Sequence, residues 1–353
     1  MIKKKCFENN WIISKCKELK ADPILVEKAI YAFELLGSLI ENNVKLIFKG
    51  GTGLMLLIPE LKRLSIDIDI LNGSDIKSLH NSFNGIIEKD VFNRWEENKR
   101  TSNYKIAKKH FKFFYNSSIE KRESYILLDI VQSNYSFLNT IEKSIKLPLF
   151  ENEKEIKVMV PTINSYFADK LTAFAPKTIG IPYGKNKSME IIKQLFDLGI
   201  LFEHITDIEE IGQIYKKISK AEASYRNINT PINIFLNDSI NTSFLICQLD
   251  FQKSIVNNYT KELREGIRKI KSHIVGGKYF LLNAKEDASK VACLASLIRD
   301  DRLDVDINKI KKDKNILEKI NDRNLPEEFK TLNKLKIISP KSFYLWTLTT
   351  KTL

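Results

Sequence analysis

The sequence predicts an α+β fold in which a strand-bearing N-terminal part is followed by a mainly α-helical portion. Three observations carry this. Short β-type runs bounded by polar turns are concentrated in the first 131 residues, a long helical stripe precedes them, and beyond about residue 205 apolar residues recur at helical spacing. With 353 residues and 43% hydrophobic content the chain can bury a substantial core. The expected division is a core with N-terminal helices over residues 1–204 and a mainly helical domain over residues 205–353.

The elements follow in order. Asp22-Pro23 is a helix opening, cap then first-turn proline, and Leu25, Ala29, Ala32, Phe33, Leu36 and Ile40 form the stripe behind it. Val44 to Phe48 is a short β-type run ending at Lys49-Gly50-Gly51, and Leu54 to Ile58 suits a short helix. Strand, glycine turn and helix together let backbone N–H groups face a phosphate. In Ser65-Ile66-Asp67-Ile68-Asp69-Ile70 polar and apolar residues alternate, so a strand would set Ser65, Asp67 and Asp69 on one face and the isoleucines in the core. Asn72-Gly73-Ser74 then turns into a helical segment reaching about Lys89. Tyr104 to Tyr115 reads as a basic, aromatic strand and Ser124 to Val131 as a second, joined by the polar hairpin Asn116 to Glu123. Lysines interleaved with aromatics suit nucleic-acid contact, and suit equally an amphipathic strand with its aromatics in the core.

The chemistry is concentrated at Gly50-Gly51-Thr52 and Arg63-x-Ser65-x-Asp67-x-Asp69. Two carboxylates side by side repel unless a cation lies between them, and hard oxygen donors favour Mg²⁺ or Mn²⁺. A lone Gly-Gly is usually a turn and a lone Asp-x-Asp usually a solvated strand face; their conjunction points to a nucleoside triphosphate with its metal. Asp129 is a single acid in the apolar run Tyr125 to Val131, where it needs a partner or a place at the sheet edge.

The motif resembles that of the minimal nucleotidyltransferases of the DNA polymerase β superfamily, and within them the AbiEii-type toxins of abortive-infection and toxin–antitoxin systems. Gly50 to Asp69 matches the leading motif of that family at each signature position. Phe167-Ala168-Asp169-Lys170-Leu171 looks like its third motif and Lys193-Gln194-Leu195-Phe196-Asp197-Leu198 like its fourth, with Gln194 where relatives commonly carry a second acid. The resemblance implies a small mixed sheet with flanking helices as the core. It also implies a residue set: Asp67, Asp69 and Asp129 as metal ligands, Gly50, Gly51, Thr52, Arg63, Ser65 and Lys170 toward the nucleotide, and Asp67, Asp69, Lys170 and Asp197 as catalytic residues. The reaction implied is transfer of a nucleoside monophosphate from an NTP, with pyrophosphate released. The acceptor implied is the 3′ end of tRNA, in a toxin with a cognate antitoxin serving phage defence.

Periodicity tests two of these residues. Phe167, Leu171 and Phe174 form one helical face with Lys170 between them, so its stem must pass apolar neighbours to bring the ammonium to a polar cleft. On the next helix Ile191, Ile192, Leu195, Phe196 and Phe202 define the buried side, which leaves Lys193 and Asp197 at i, i+4 as a solvated pair. Residues 175–187 between them are either a substrate-gripping loop or a connector. Helical patterns cover Ile208 to Ser224, Thr242 to Ile270 and Lys285 to Arg299, broken at Gly276-Gly277, and Lys330 to Trp346 is either a docking surface or a packed final helix.

Composition bounds the partners. Lys+Arg 57 against Asp+Glu 44 gives +13, which favours polyanions such as RNA and is also what an AT-rich genome would encode. Cys6, Cys16, Cys247 and Cys293 show no paired spacing, and His80, His110, His204 and His273 no ligand spacing. Met1 to Lys5 has the charge of a signal peptide, but Glu8, Asn9 and Asn10 interrupt any apolar core, so no membrane and a cytoplasmic location are expected. The alternatives are a transferase that modifies a protein or small molecule, and a nucleotide-binding regulatory module without turnover.

Overall fold

A computed structural model describes residues 1–73, 76–98, 108–132 and 138–352. Its contacts divide the chain into two compact units: Met1–Thr162 with Ser272–Lys278, and Ile163–Lys271 with Tyr279–Leu353. The division falls at residue 162 with a short returning segment, where the sequence reading set one boundary at 204.

The first unit is built on a mixed sheet. Its strands are β1 (Ile47–Lys49), β2 (Ile68–Leu71), β3 (Arg94–Glu97), β4 (Lys108–Asn116), β5 (Glu123–Val131), β6 (Thr140–Ser144) and β7 (Lys157–Pro161), in the order β3-β4-β5-β2-β1-β7-β6. β1 with β7 and β2 with β5 are parallel, and the other neighbours are antiparallel. β5 spans the run expected of it. β4 ends as expected, and the expected Tyr104–Ala107 start lies outside the described residues, as does Ser74 of the turn. The Ser65–Ile70 strand is shorter than its alternation suggested: pairing begins at Ile68, and Ser65 to Asp67 approach it without ladder partners. β3, β6 and β7 were not anticipated, and the first two are largely polar, without the apolar alternation that marks a half-buried strand.

Helices α1 (Asn9–Leu19) and α2 (Pro23–Glu41) precede the sheet, α3 (Gly50–Leu54) follows β1, and α4 (Ile76–Ile87) follows β2. Asp22 caps α2, its Oδ1 accepting from the N–H groups of Ile24 and Leu25 at 2.9 and 3.1 Å. The short helix after β1 begins at the glycines themselves, four residues earlier than expected. The core lies where α2 and α4 meet one sheet face. Tyr31 stacks on Tyr115 with centroids 3.7 Å apart, Phe33 packs edge-on to Phe48, and Phe83 meets Phe111, Phe113 and Trp95. Alternation puts Phe111, Phe113 and Tyr115 of β4 and Ser124, Ile126, Leu128 and Ile130 of β5 on this buried face.

The second unit is helical: α5 (Ile163–Ala173), α6 (Ser188–His204), α7 (Ile208–Tyr225), α8 (Ile232–Cys247), α9 (Asn258–Lys269), α10 (Leu281–Arg299), α11 (Ile307–Lys311), α12 (Ile316–Ile320), α13 (Leu335–Ile338) and α14 (Pro340–Thr349). The long helix expected over Thr242 to Ile270 is two, because Asn257 and Thr260 form a capping box that starts α9 afresh. α14 is the packed final helix, with Trp346 buried and its Nε1 donating to Ser289 Oγ at 3.1 Å. Residues 175–187 are a pinned connector. Asp238 accepts from the Lys177 N–H and the Thr178 hydroxyl at 2.7 and 2.9 Å, and Glu262 accepts from the Gly184 N–H. All four cysteines are buried and free, and no helix among the described residues is long and apolar enough to cross a membrane.

One buried carboxylate ties α2 to the β4–β5 hairpin. Glu27, fully buried, accepts from the hydroxyls of Ser117 and Ser118 and from the backbone N–H groups of Ser118 and Ile119, at 2.5 to 3.2 Å. Removing the acceptor leaves the buried Ser117 hydroxyl and three half-buried donors of Ser118 and Ile119 unpaired. Glu27→Ala is therefore expected to lower stability by about 3 kcal/mol, read from urea denaturation, and Glu27→Gln by visibly less. Equal stability of Glu27→Ala and the parent would remove this tie from the account.

Candidate active site

The glycine turn and the acidic strand meet side by side. β1 and β2 pair so that Lys49 lies opposite Asp69, which brings Gly50 against the Asp69 side chain. Gly50 has φ +71°, and a Cβ built on it would lie 2.0 Å from Asp69 Oδ2. Both the backbone conformation and the space therefore demand glycine. A Cβ on Gly51 would in turn lie 2.4 Å from Arg63 Nη2 and 2.8 Å from Ser65 Oγ. Gly50, Gly51, Arg63, Ser65 and Asp69 thus form one contact group, drawn from two segments of the motif.

Thr52 also ties the turn to the acidic segment. Its side chain is buried, and its hydroxyl donates to the Asp67 carbonyl oxygen at 2.6 Å. That proton is committed to holding Asp67, so toward a phosphate Thr52 has only its backbone N–H to offer. Arg63 is buried as well, donating from Nη1 to the Leu64 carbonyl oxygen at 3.3 Å. The returning segment braces it from outside. The Leu64 N–H donates to the His273 carbonyl oxygen at 2.8 Å, the Val275 N–H to the Lys62 carbonyl oxygen at 3.0 Å, and Arg63 bridges to Ile274.

Asp129 stands next to Asp69. The parallel register of β2 and β5 makes them partners, so both carboxylates leave the sheet on the same face, away from the buried row of Leu128 and Ile130. Asp67, two residues before Asp69, is exposed. The partner that the acid in the apolar run required is His110, its register neighbour on β4, whose Nδ1 lies 2.7 Å from Asp129 Oδ1. Against an ionised carboxylate the imidazole N–H donates. Sequence spacing hid His110 because cross-strand register, not separation along the chain, brings it there. Carboxylate oxygens in this arrangement suit a hard divalent cation in their chemistry. Among the described residues, however, no three or more His, Cys, Asp or Glu side chains are gathered as metal ligands.

Lys170 and Asp197 belong to the second unit and pair with each other. Lys170 Nζ lies 2.7 Å from Asp197 Oδ2, with side-chain exposures of 5% and 1%, and donates to Gln194 Oε1 at 3.3 Å. This corrects two expectations. Asp197 is not on a solvated face beside Lys193, and the Lys170 ammonium meets a buried acid and amide instead of an open cleft. The cause is that α6 packs against α5, α9 and α10, so the helix is enclosed on more sides than one apolar stripe reveals. Gln194, where relatives commonly carry a second acid, is a neutral acceptor for the same lysine.

A family model described as "Nucleotidyl transferase AbiEii toxin, Type IV TA system" matches residues 35–276. The chain belongs to this family. The match takes in the glycine turn, the carboxylates, the Lys170–Asp197 pair and the returning segment as far as Gly276. Among solved structures, JHP933 from Helicobacter pylori is similar at 16% identity and a TM-score of 0.42, over 83% of this chain and 98% of that one. An antigenic nucleotidyltransferase-like protein from Paracoccidioides brasiliensis is similar at 11% identity and a TM-score of 0.36, over 57% of this chain and 91% of that one. No curated protein matches. The assignment to the AbiEii nucleotidyl transferases rests on the family model.

Two substitutions probe the geometry. Gly50→Ala is expected to destabilise by about 2 kcal/mol or more, from the left-handed backbone and the overlap with Asp69, and to abolish binding of a fluorescent NTP analogue. Unchanged stability and binding would show that the turn tolerates a side chain. Asp197→Ala strands a buried lysine, so a loss of about 3–5 kcal/mol in urea denaturation should accompany any loss of activity. The double variant Lys170→Met/Asp197→Leu should recover much of that stability while remaining inactive; if activity returned with stability, the pair would be structural.

Proposed function

We propose that this AbiEii-family protein transfers a nucleoside monophosphate from an NTP to the 3′ end of tRNA, as the toxin of a toxin–antitoxin or abortive-infection system acting in phage defence in the cytoplasm. The observation that carries the reading is the close approach of the Gly50 backbone to Asp69, with Asp129 in register beside it. Family membership supports an NTP substrate and a cognate antitoxin.

The chain's own groups divide the work. The N–H groups of the Gly50–Thr52 turn take the β- and γ-phosphates, with Arg63 and Ser65 behind the turn adding charge and a hydroxyl. Asp67, Asp69 and Asp129 would hold Mg²⁺ or Mn²⁺, whose chemistry there is to neutralise charge on the attacking and leaving oxygens. The acceptor hydroxyl gives up its proton to a carboxylate and bonds to the α-phosphorus, while the bond from that phosphorus to the bridging oxygen breaks and pyrophosphate leaves. Within the helical unit, Asp197 and Gln194 fix the direction of the Lys170 ammonium. Residual charge of +13 supports a polyanionic acceptor over a small neutral one.

The test is incubation with total tRNA, Mg²⁺ and each α-labelled NTP, followed by a denaturing gel. Label should appear on tRNA with the parent protein and fall at least a hundredfold with Asp69→Ala, whose circular dichroism should match the parent. Full activity of Asp69→Ala would discard the site. Label on protein in a whole lysate, with none on RNA, would move the acceptor to a side chain, and NTP binding without any transfer would leave a regulatory module.

A further inference from the structure

The face of β4 and β5 that carries His110 and Asp129 continues away from the carboxylates as a basic, aromatic row. Register sets His110 beside Asp129, Lys112 beside Leu127 and Phe114 beside Tyr125. All six lie opposite the buried row of Phe111, Phe113, Ile126 and Leu128. Tyr125 is 41% exposed, and Phe114 is its neighbour with ring centroids 5.8 Å apart. The ammonium groups of Lys112 and Lys28 lie over the Tyr125 ring, 4.5 and 5.7 Å from its centre. Neither lysine has an acidic partner among the described residues. Arg94 differs, because its guanidinium covers Phe114 at 3.6 Å while Glu123 and Glu96 neutralise it.

We propose that this row binds the single-stranded end of an RNA acceptor, one base stacked on Tyr125 beside Phe114, flanking phosphates paired with Lys112 and Lys28, and the terminal nucleotide directed along β5 toward Asp129. The chemistry that selects this occupant is the combination of an exposed ring with two lysine cations drawn over it that pair with no acid among the described residues and can exchange the ring for phosphates. A base offers a flat ring and its backbone a phosphate at each step, so both needs are met by one ligand. An acidic peptide would satisfy the lysines and leave the ring without a stacking partner. A duplex would satisfy the lysines and hide its base faces. The distance also fits an acceptor end: four residues of strand from Tyr125 to Asp129 span about 13 Å, room for the last nucleotides to reach the carboxylates. The direction of the strand rests on the transferase reading; the stacking site itself does not.

The experiment is fluorescence anisotropy of the full chain with a 5′-labelled single-stranded RNA of about eight nucleotides, and with a hairpin of the same composition, both without NTP. Tyr125→Ala should weaken single-strand binding about tenfold or more, and Tyr125→Trp, which keeps a stacking ring, should restore it. Lys112→Ala should weaken binding and reduce the salt slope by about 0.7 in log K against log salt. Parent-like affinity in Tyr125→Ala, failure of Tyr125→Trp to rescue, or hairpin binding as tight as the single strand would each overturn the proposal, as would stronger displacement by polyglutamate than by unlabelled RNA. Titration of a fluorescent NTP analogue into the same proteins keeps the two readings apart. If the parent binds no NTP the transferase reading falls, while the dependence on Tyr125 still decides the RNA site.

Discussion

The arrangement depends on the approach of a bare backbone to a carboxylate. At Gly50 the chain leaves β1 with positive φ and passes so close to Asp69 that no side chain could be accommodated. The antiparallel pairing of Lys49 with Asp69 makes that approach unavoidable, and the parallel pairing of Asp69 with Asp129 then sets a second acid beside the first. Backbone N–H groups, which favour anions, and carboxylates, which repel them, are thus brought together within one sheet. The polyphosphate with its counter-cation that we propose as ligand would reconcile these opposed demands.

Much of this was legible in the chain, and the legible parts share a cause. The β5 run, the cap of α2 at Asp22 and the motif from Gly50 to Asp69 all express local rules: alternation, capping, and the conformational freedom of glycine. Asp129 was legible for a physical reason too, since an acid in an apolar run needs a partner. What stayed hidden was set by distant neighbours. His110 meets Asp129 only through the β4–β5 register, and β3 and β6 are stabilised by ladder hydrogen bonds more than by apolar alternation. Asp197 was misread because periodicity counts one apolar face, whereas α6 is enclosed by three helices. The Thr52 hydroxyl's bond stayed hidden because its acceptor, the Asp67 carbonyl oxygen, lies fifteen positions along the chain.

The buried ion pair in the helical unit answers to different physics. In water an isolated lysine–aspartate pair is worth little, but Lys170 and Asp197 are almost wholly enclosed, with Gln194 satisfying one further donor. Buried ion pairs of this kind can often be replaced by two apolar residues of similar volume at little net cost in stability. A pair that stability does not require, at the two positions matching the later family motifs, is better explained by a need for a lysine held in one orientation. Gln194 fits this view. A second acid at that position would compete with Asp197 for the ammonium, whereas a neutral amide adds direction without adding charge.

The brace on Arg63 shows how far from the motif its geometry is set. Residues 62–64 pair with the backbone of residues 273–275, and His273 lies against Leu64 across 209 positions of chain. The family match runs to Gly276, through this segment and just past it. Some two hundred residues therefore lie between the two sides of this brace, and contacts of such high sequence separation are slow to form. Strand, turn and carboxylates can be written in twenty consecutive residues, yet the backbone that carries the buried Arg63 is held by a segment two hundred residues later. A motif of this kind is a necessary part of the site, and the returning segment explains why it is not a sufficient one.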